Sequence, residues 1–176
     1  MTDSSVGVAA PYEIVSLHSR YDRSRFDCGD ASVNEWFRTH AGRSERAGGT
    51  RAFLAIRDVE ILGFYASLAI TMERDEVAQA FGVGRARYPK PAILLAQLGV
   101  NTTAQRRGVA KALLVHALEG VLRASEYTGV EVVLVDALND DVCAFYRKMG
   151  FRSLEDHTLR LFMPVKSLRA TFTSVG

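Results

Sequence analysis

The amino-acid sequence predicts a single α/β domain of the α+β type, with helices on both faces of a mixed central sheet of about six or seven strands. Three observations predict it. The 176 residues, 48 % hydrophobic and 24 % charged, are enough for one ordinary core. Strand-like runs alternate with segments of helical periodicity along the chain. A strand, a turn of small and basic residues and a long amphipathic helix follow one another over residues 93–122.

The predicted elements follow a simple order along the chain. They are a strand at 12–17, a helix at 30–47, a hairpin of strands at 50–56 and 61–70, a short helix at 73–81, a strand at 93–100, a helix at 110–122, a strand at 130–137, a helix at 139–149 and two short strands at 151–154 and 158–163. Residues 1–11 are expected to be a flexible lead-in, residues 12–168 the domain and residues 169–176 a tail.

Local signals place the ends of these elements. Asp30 or Ser32 is suited to cap the first helix, and a glycine pair at 48–49 ends it. A polar turn at 57–60 joins the two strands of the hairpin. Residues 82–91 have the composition of a loop, so the next strand is expected to begin after them.

The turn after the strand at 93–100 is a candidate anion site. It reads Gln-Arg-Arg-Gly-Val-Ala over residues 105–110 and leads directly into a helix. The first backbone N–H groups of a helix have no internal acceptor and lie at the positive end of its dipole, so they attract a phosphate. Arg106, Arg107 and Lys111 add positive charge. Taken alone, the same pattern also fits an ordinary strand-to-helix turn.

The strand at 130–137 and the helix after it form a second candidate unit. The strand is almost continuously β-branched, as is typical of a strand buried on both faces. Asn139 is a suitable helix cap, and Gly150 a suitable residue to follow the helix. Tyr146 shares the apolar face of this helix. It is either a core aromatic or a proton donor, because a phenol is protonated at neutral pH yet acidic enough to donate.

Composition and cysteine usage exclude several classes. Cys28 and Cys143 are far apart, with no CxxC motif and no nearby histidine pair, so neither a disulfide framework nor a metal site is expected. The chain shows no signal peptide and no apolar run long enough for a membrane span, which indicates a cytoplasmic protein without a membrane partner. A net charge of +2 does not require nucleic acid, although a local patch could still bind it.

Together these two units resemble the GNAT family of N-acetyltransferases, which bind acetyl-coenzyme A. The resemblance is carried by the strand at 93–100, the Q-x-x-G-x-A turn and the pattern N-x-x-x-x-x-F-Y-x-x-x-G-F from Asn139 to Phe151. It implies the GNAT fold, in which the sheet is splayed between the strands at 93–100 and 130–137. The family holds the cofactor's pyrophosphate on the amides of the turn and its pantetheine in the slot between the splayed strands.

The resemblance also implies functional residues. Tyr146 is implied as the general acid that protonates the departing thiolate. The cofactor-binding residues that it implies are Leu98, Gly99, Val100, Gln105, Arg106, Arg107, Gly108, Val109, Ala110, Lys111 and Asn139. The family requires no metal and no nucleophilic serine or cysteine.

A longer stretch is similar to one subgroup, the acetyltransferase toxins of bacterial toxin–antitoxin pairs. It is FDCGDASVNEWF at 26–37, supported by GFYA at 63–66, VDA at 135–137 and LRLFMPVKSL near the end. This similarity implies acetylation of the α-amino group of aminoacyl-tRNA, a ribbon-helix-helix antitoxin and a homodimer. The subgroup commonly has Leu at Val33, Ala at Gly99 and a glycine-richer Q-G-x-G-x-G turn, so here Arg106 occupies a usual glycine position.

The mechanism expected from these residues is direct acetyl transfer to an amine. The amide of Val100 or Gly99 would polarise the thioester carbonyl. The sequence places no general base at the slot; Glu73 and Asp75 are candidates, although solvated surface acids fit them better. An α-amino group, with a pKa of about 7.7–8.0, is substantially neutral near pH 7.5, whereas a lysine amine at about 10.4 needs a base. A site without a base therefore favours an aminoacyl or N-terminal amine.

Charge indicates where the acceptor would bind. Residues 72–111 contain seven basic and three acidic side chains, and Arg85, Arg87 and Lys90 are the candidate substrate contacts. Tyr88 lies among them, a combination suited to RNA, although a solvated loop explains it equally well. Two other functions stay open: acetylation of a small amine or protein N-terminus without a toxin role, and a non-enzymatic interaction module.

Overall fold

A seven-stranded mixed sheet organises the computed structural model, which describes residues 11–154 and 159–174. Its strands are β1 (Glu13–Ser16), β2 (Arg51–Arg57), β3 (Glu60–Met72), β4 (Lys90–Val100), β5 (Val132–Asp136), β6 (Arg152–Ser153) and β7 (Arg160–Pro164). The helices are α1 (Ala31–Glu35), α2 (Ala41–Arg46), α3 (Arg74–Phe81), α4 (Val109–Ser125), α5 (Asp140–Lys148) and α6 (Val165–Thr173). A π-helical turn, Trp36–His40, joins α1 to α2, and a 3-10 turn, Thr102–Ala104, precedes α4.

The strand order is β1-β2-β3-β4-β5-β7-β6, and every neighbouring pair is antiparallel except β4 and β5. The alternation of side chains along each strand gives the sheet two buried faces. Val133 and Val135 of β5 belong to the same buried cluster as Leu113 of α4, whereas Leu134 belongs to the cluster that contains Val77 of α3. Helices α4, α5 and α6 therefore cover one face, and α1, α2 and α3 cover the other.

The segment Phe26–Phe37 has a structural role. Phe37 stacks on Phe64 of β3 with ring centroids 3.9 Å apart, and Phe26 meets Phe37 edge-on at 4.8 Å. Cys28 is half-buried, and Gly29 adopts a φ of 90°, which favours glycine. Within residues 11–154 and 159–174, neither cysteine forms a disulfide. The stretch that characterises the toxin subgroup thus anchors α1 to the sheet.

Several element boundaries differ from those predicted. Strand β4 begins at Lys90 rather than after residue 91, because Lys90 and Pro91 pair with the end of β3. The predicted tail begins at residue 169, but α6 continues to Thr173 and buries Leu168 against α4. The first residue of the last predicted strand, Thr158, lies outside the described residues, as do residues 1–10 of the predicted lead-in. The predicted caps Asp30 and Asn139 are confirmed, since each side chain accepts a hydrogen bond from the helix it precedes.

Candidate active site

A slot opens where β4 and β5 part. Ladder pairing between them covers only Ala92–Leu95 and Val132–Val135. In the β3–β4 ladder Ser67 faces Leu95 and Ala66 faces Gln97, so Ala96 is an extra residue that forms a bulge. A bulge bends its strand, and this bend carries the second half of β4 away from β5. The predicted splay of the sheet is therefore present, and its position is set by Ala96.

The slot has a volume of about 330 Å³. Its lining is mostly apolar and comes from α1, β4, α4, the end of β5 and α5. The residues that line it are Ser32, Val33, Leu95, Ala96, Gln97, Leu98, Ala110, Asp136, Leu138, Asp141, Val142, Phe145 and Tyr146. An apolar channel with polar groups at its ends fits an extended pantetheine arm and a thioester.

The backbone of β4 supplies hydrogen-bond donors to this slot. Beyond Val100, the N–H of Asn101 donates to the carbonyl of Leu62 on β3 at 2.8 Å. In an antiparallel ladder successive residues point their N–H groups alternately towards and away from the partner strand. The Gly99 amide therefore faces β3, whereas the amides of Leu98 and Val100 face the slot side. Of the two amides predicted to polarise the thioester, Gly99 is thus turned away from the slot, whereas Val100 remains on the slot side together with Leu98, which lines the slot itself.

The turn 105–110 leads into the N-terminus of α4, where the sequence predicts an anion site. Gly108 occupies the N-cap position with a φ of 83°, and residues 105–108 are exposed. Arg106 also has a positive φ, 61°. This conformation turns the chain so that the first amides of α4 face outward, free of an internal acceptor. Ala110 reaches the slot, Arg107 is exposed, and Lys111 is exposed and lines a different cavity together with α6.

Gln105 holds the turn rather than lining the slot. Its Nε2 donates to the carbonyl of Val100 at 3.0 Å and to that of Cys28 at 2.9 Å. One side chain therefore connects the end of β4, the segment before α1 and the anion platform. Asn139 is likewise engaged locally, since its Oδ1 accepts from the Val142 amide at 3.0 Å.

Tyr146 stands at the slot in the state an acid requires. Its side chain is 4 % exposed, and its ring meets Phe145 and Phe151 edge-on at 5.2 and 5.5 Å. Burial raises the pKa of Tyr146 above its ordinary value. The phenol therefore remains protonated at neutral pH and becomes a donor only to a strong base such as a thiolate.

The carboxylates at the slot are not the ones the sequence offered. Glu73 caps α3, and with Asp75 it lines a separate cavity around residues 84–86. Asp136 and Asp141 line the slot instead. Both oxygens of Asp136 accept hydrogen bonds from Arg160, at 2.6 and 2.8 Å. Asp136 is thus already engaged by an arginine, and the residues that line the slot include no histidine.

Arg160 also bonds Glu76 of α3 at 2.8 Å, so one guanidinium connects α3, β5 and β7 beside the slot. These hydrogen bonds raise the pKa of Arg160, with the bond to Asp136 the larger cause. Sequence reasoning missed this network because Arg160 is 84 residues from Glu76 and 24 residues from Asp136 along the chain. No local periodicity relates residues at such separations.

The three predicted substrate residues lie near the first residue of β4, away from the slot. Lys90 forms an ion pair with Glu131 at 2.5 Å, so its charge is already balanced. Arg87 stacks over Tyr88, whose ring is 66 % exposed, at 5.3 Å. Arg85 lines the cavity beside α3. The structure does not bring these residues together with Tyr146.

Two further observations concern the described residues only. Among residues 11–154 and 159–174, no helix has the length and apolar character needed to cross a membrane. In the same part of the chain, no three His, Cys, Asp or Glu side chains come together in a way that could hold a metal ion.

A splayed parallel pair, an amide platform at a helix N-terminus and a buried tyrosine at the slot define an acyl-CoA-dependent acyltransferase. Comparison with known families agrees: residues 13–151 match the acetyltransferase (GNAT) family. The match spans most of the chain, which therefore belongs to the GNAT family of acetyltransferases.

Individual relatives are more specific. The chain is 33 % identical over 168 residues to the tRNA-acetylating toxin of Mycobacterium tuberculosis, covering 93 % of this chain and 96 % of that protein. It is similar to the toxin AtaT complexed with acetyl-methionyl-tRNAfMet, with a TM-score of 0.81, 29 % identity and coverage of 92 % and 99 %. It is also similar to a Tyr-to-Phe mutant of AtaT bound to the C-terminus of the antitoxin AtaR and acetyl-CoA. For that structure the TM-score is 0.80 and the identity 29 %, with coverage of 92 % of this chain and 98 % of that chain.

Proposed function

We propose that this protein is an acetyl-CoA-dependent toxin that acetylates the α-amino group of aminoacyl-tRNA and thereby blocks translation. The observation that carries the proposal is the slot between β4 and β5, which Tyr146, Leu98 and Ala110 of α4 line together, and this arrangement supports a site for a thioester donor. Similarity over nearly the whole chain to a tRNA-acetylating toxin supports the choice of acceptor.

The roles of the residues follow from their positions. The amides at the start of α4 hold the pyrophosphate of the donor, with Arg106 and Arg107 adding charge. The N–H of Val100 or Leu98, both on the slot side, stabilises negative charge on the thioester oxygen as the amine attacks the carbonyl carbon. The carbon–sulfur bond then breaks, Tyr146 donates its proton to the departing thiolate, and the proton that the nitrogen loses as the amide forms restores the phenol. A related toxin was also solved as a Tyr-to-Phe mutant with acetyl-CoA bound, which supports a tyrosine in this role.

The absence of a strong base at the slot supports an α-amino acceptor. Asp136 is bound by Arg160, Asp141 lies in the first turn of α5, and no histidine is among the residues that line the slot. An amine that must attack here has to be neutral beforehand. The α-amino group fulfils this near pH 7.5, whereas a lysine side chain does not.

The proposal includes partners and location. We expect a cytoplasmic homodimer that is neutralised by a ribbon-helix-helix antitoxin. The similarity to a toxin solved with the C-terminus of its antitoxin supports an antitoxin partner.

The acceptor is tested with labelled acetyl-CoA and three substrates: charged total tRNA, the same tRNA after deacylation, and a lysine-containing peptide with a blocked N-terminus. The proposal predicts label in charged tRNA only, and release of the label as an N-acetyl amino acid when the ester is hydrolysed. Label on the peptide with none on charged tRNA would contradict it.

A further inference from the structure

A second concave site, lined by other residues than the slot, lies at the loop between β1 and α1. It has a volume of about 510 Å³. Its lining comes from the loop and from the π-helical turn, and consists of Ser19, Arg20, Tyr21, Asp22, Arg23, Ser24 and Arg38. We refer to it as the arginine pocket. It shares no lining residue with the slot.

Arg23 is the residue that requires explanation. Its guanidinium lies over the ring of Phe37 at 5.9 Å, and burial lowers its pKa, as does the nearby charge of Arg46 to a smaller extent. Within residues 11–154 and 159–174, no carboxylate lies within 4.0 Å of the Arg23 guanidinium. A partly desolvated cation beside a like charge destabilises the fold unless something offsets it.

The helix backbone leaves space for this cation. A Cβ on Gly42 of α2 would lie 3.0 Å from Nη2 and 3.1 Å from Nη1 of Arg23. Gly42 is buried although its φ is not positive, so conformation does not call for glycine here. Its absent side chain instead allows the guanidinium to lie against the helix. The position of Arg23 is therefore determined by packing.

The other two arginines are also held in place. Arg20 donates through Nη2 to the Tyr21 hydroxyl at 2.6 Å and stacks over that ring at 4.8 Å. Arg38 donates through Nε and Nη2 to the carbonyl of Phe26. Because each guanidinium carries five N–H donors, each keeps several for a ligand. Asp22, the single acid in the lining, accepts from the Ser24 amide at 2.9 Å.

We propose that the arginine pocket binds a phosphate of an RNA backbone. Three fixed guanidinium groups with spare donors match a phosphodiester, which accepts paired hydrogen bonds in the plane of arginine. The phosphate supplies the counter-charge that Arg23 lacks among its described neighbours. This inference rests on the proposed function, to which it adds a contact that recognises tRNA apart from the aminoacyl end.

The binding test uses the full-length protein and deacylated tRNA, so it needs no catalysis. Arg23→Gln is expected to weaken tRNA binding about tenfold, the worth of a charge-assisted hydrogen bond, and to reduce the slope of log Kd against log salt by about 1. The matched control is Arg152→Gln, which replaces an exposed arginine on β6 and lowers the net charge by the same one unit as Arg23→Gln. It should change Kd less than twofold.

A second variant separates geometry from charge. Gly42→Ala removes no charge, but its Cβ displaces the Arg23 guanidinium. Binding should weaken severalfold while the salt slope stays within error of the wild type, and thermal unfolding of both variants confirms that they fold. Unchanged tRNA affinity in both Arg23→Gln and Gly42→Ala would overturn the proposal. This holds even if either variant weakened binding to an acidic protein, because the pocket would then bind carboxylates rather than an RNA phosphate.

Kinetics distinguish this inference from the proposed function. With charged tRNA, Arg23→Gln should raise KM about tenfold and leave kcat unchanged. With a short aminoacylated CCA trinucleotide, which lacks the backbone phosphates of the tRNA stem, wild type and variant should react alike. If wild type acetylates neither substrate, the proposed function fails while the binding test still decides on the pocket. A lowered kcat on the trinucleotide would refute a role confined to the tRNA backbone.

Discussion

Replacing Arg106 by glycine is expected to stabilise the protein, although the side chain is exposed. Arg106 has a φ of 61°. The left-handed conformation costs an L-residue about 1–2 kcal/mol, and the extra freedom of glycine in the unfolded chain costs about 0.5–1 kcal/mol. The difference favours glycine by about 0.5–1 kcal/mol, which raises Tm by roughly 1–4 °C for a chain of this size.

The adjacent Arg107 provides the control. It is equally exposed, belongs to the same turn and has no positive φ. Arg107→Gly removes the same charge but gains no conformational relief, so it should lower the free energy of unfolding by about 0.5–1 kcal/mol. Urea unfolding of both variants measures the contrast. Shifts in the same direction would refute the conformational reasoning and indicate a charge effect instead.

Three further changes test other parts of the fold. Asn139→Ala removes the N-cap of α5 and should cost about 1 kcal/mol in urea unfolding, with little effect from Asp140→Asn alone. Gly99→Ala places a Cβ 3.1 Å from Phe64 and 3.2 Å from Val33, so it should destabilise by about 1–3 kcal/mol; a gain in Tm would show that α1 yields easily. Burial lowers the pKa of His116 in the folded protein below the value in the unfolded chain, which is about 6.5. As pH falls below that value the unfolded chain takes up the proton first, so the free energy of unfolding decreases. His116→Gln should therefore flatten the fall in Tm between pH 7.5 and 5.5, and an unchanged slope would assign that fall to other groups.

Local signals predicted the elements well where a single side chain decides the outcome. Asp30 and Asn139 cap their helices because a short acceptor before an apolar run meets free amides at any helix start. The continuous run of mostly β-branched residues in β5 correctly indicated burial on both faces, since Val132–Val135 are all buried. These features depend on the neighbouring few residues and on no distant part of the chain.

The functional geometry was less accessible, because it depends on partners distant in sequence. The direction of the Gly99 amide is fixed by the pairing of Gly99 with Phe64 of β3, and this register cannot be read from the sequence of β4 alone. Lys90 looked like a free cation until the parallel pairing of β4 and β5 brought Glu131 beside it. Arg160 had no predicted role, since its carboxylate partners belong to α3 and β5.

The arginine pocket illustrates the same limit. Arg20, Arg23 and Arg38 are spread over two segments, and the sequence alone pointed instead to Arg85, Arg87 and Lys90. What distinguishes Arg23 is its packing against Gly42 and Phe37, which becomes visible only when the loop lies against α2.

The most direct test of the account is acetyl transfer to charged tRNA by wild type and Tyr146→Phe, with acetyl-CoA affinity measured in parallel by thermal shift. The variant keeps the buried ring and loses only the proton donor. We predict that acetyl-CoA raises Tm equally in both proteins, while turnover on charged tRNA falls by about 10²–10⁴-fold in the variant. Undiminished turnover, or no transfer to charged tRNA by wild type, would contradict the account.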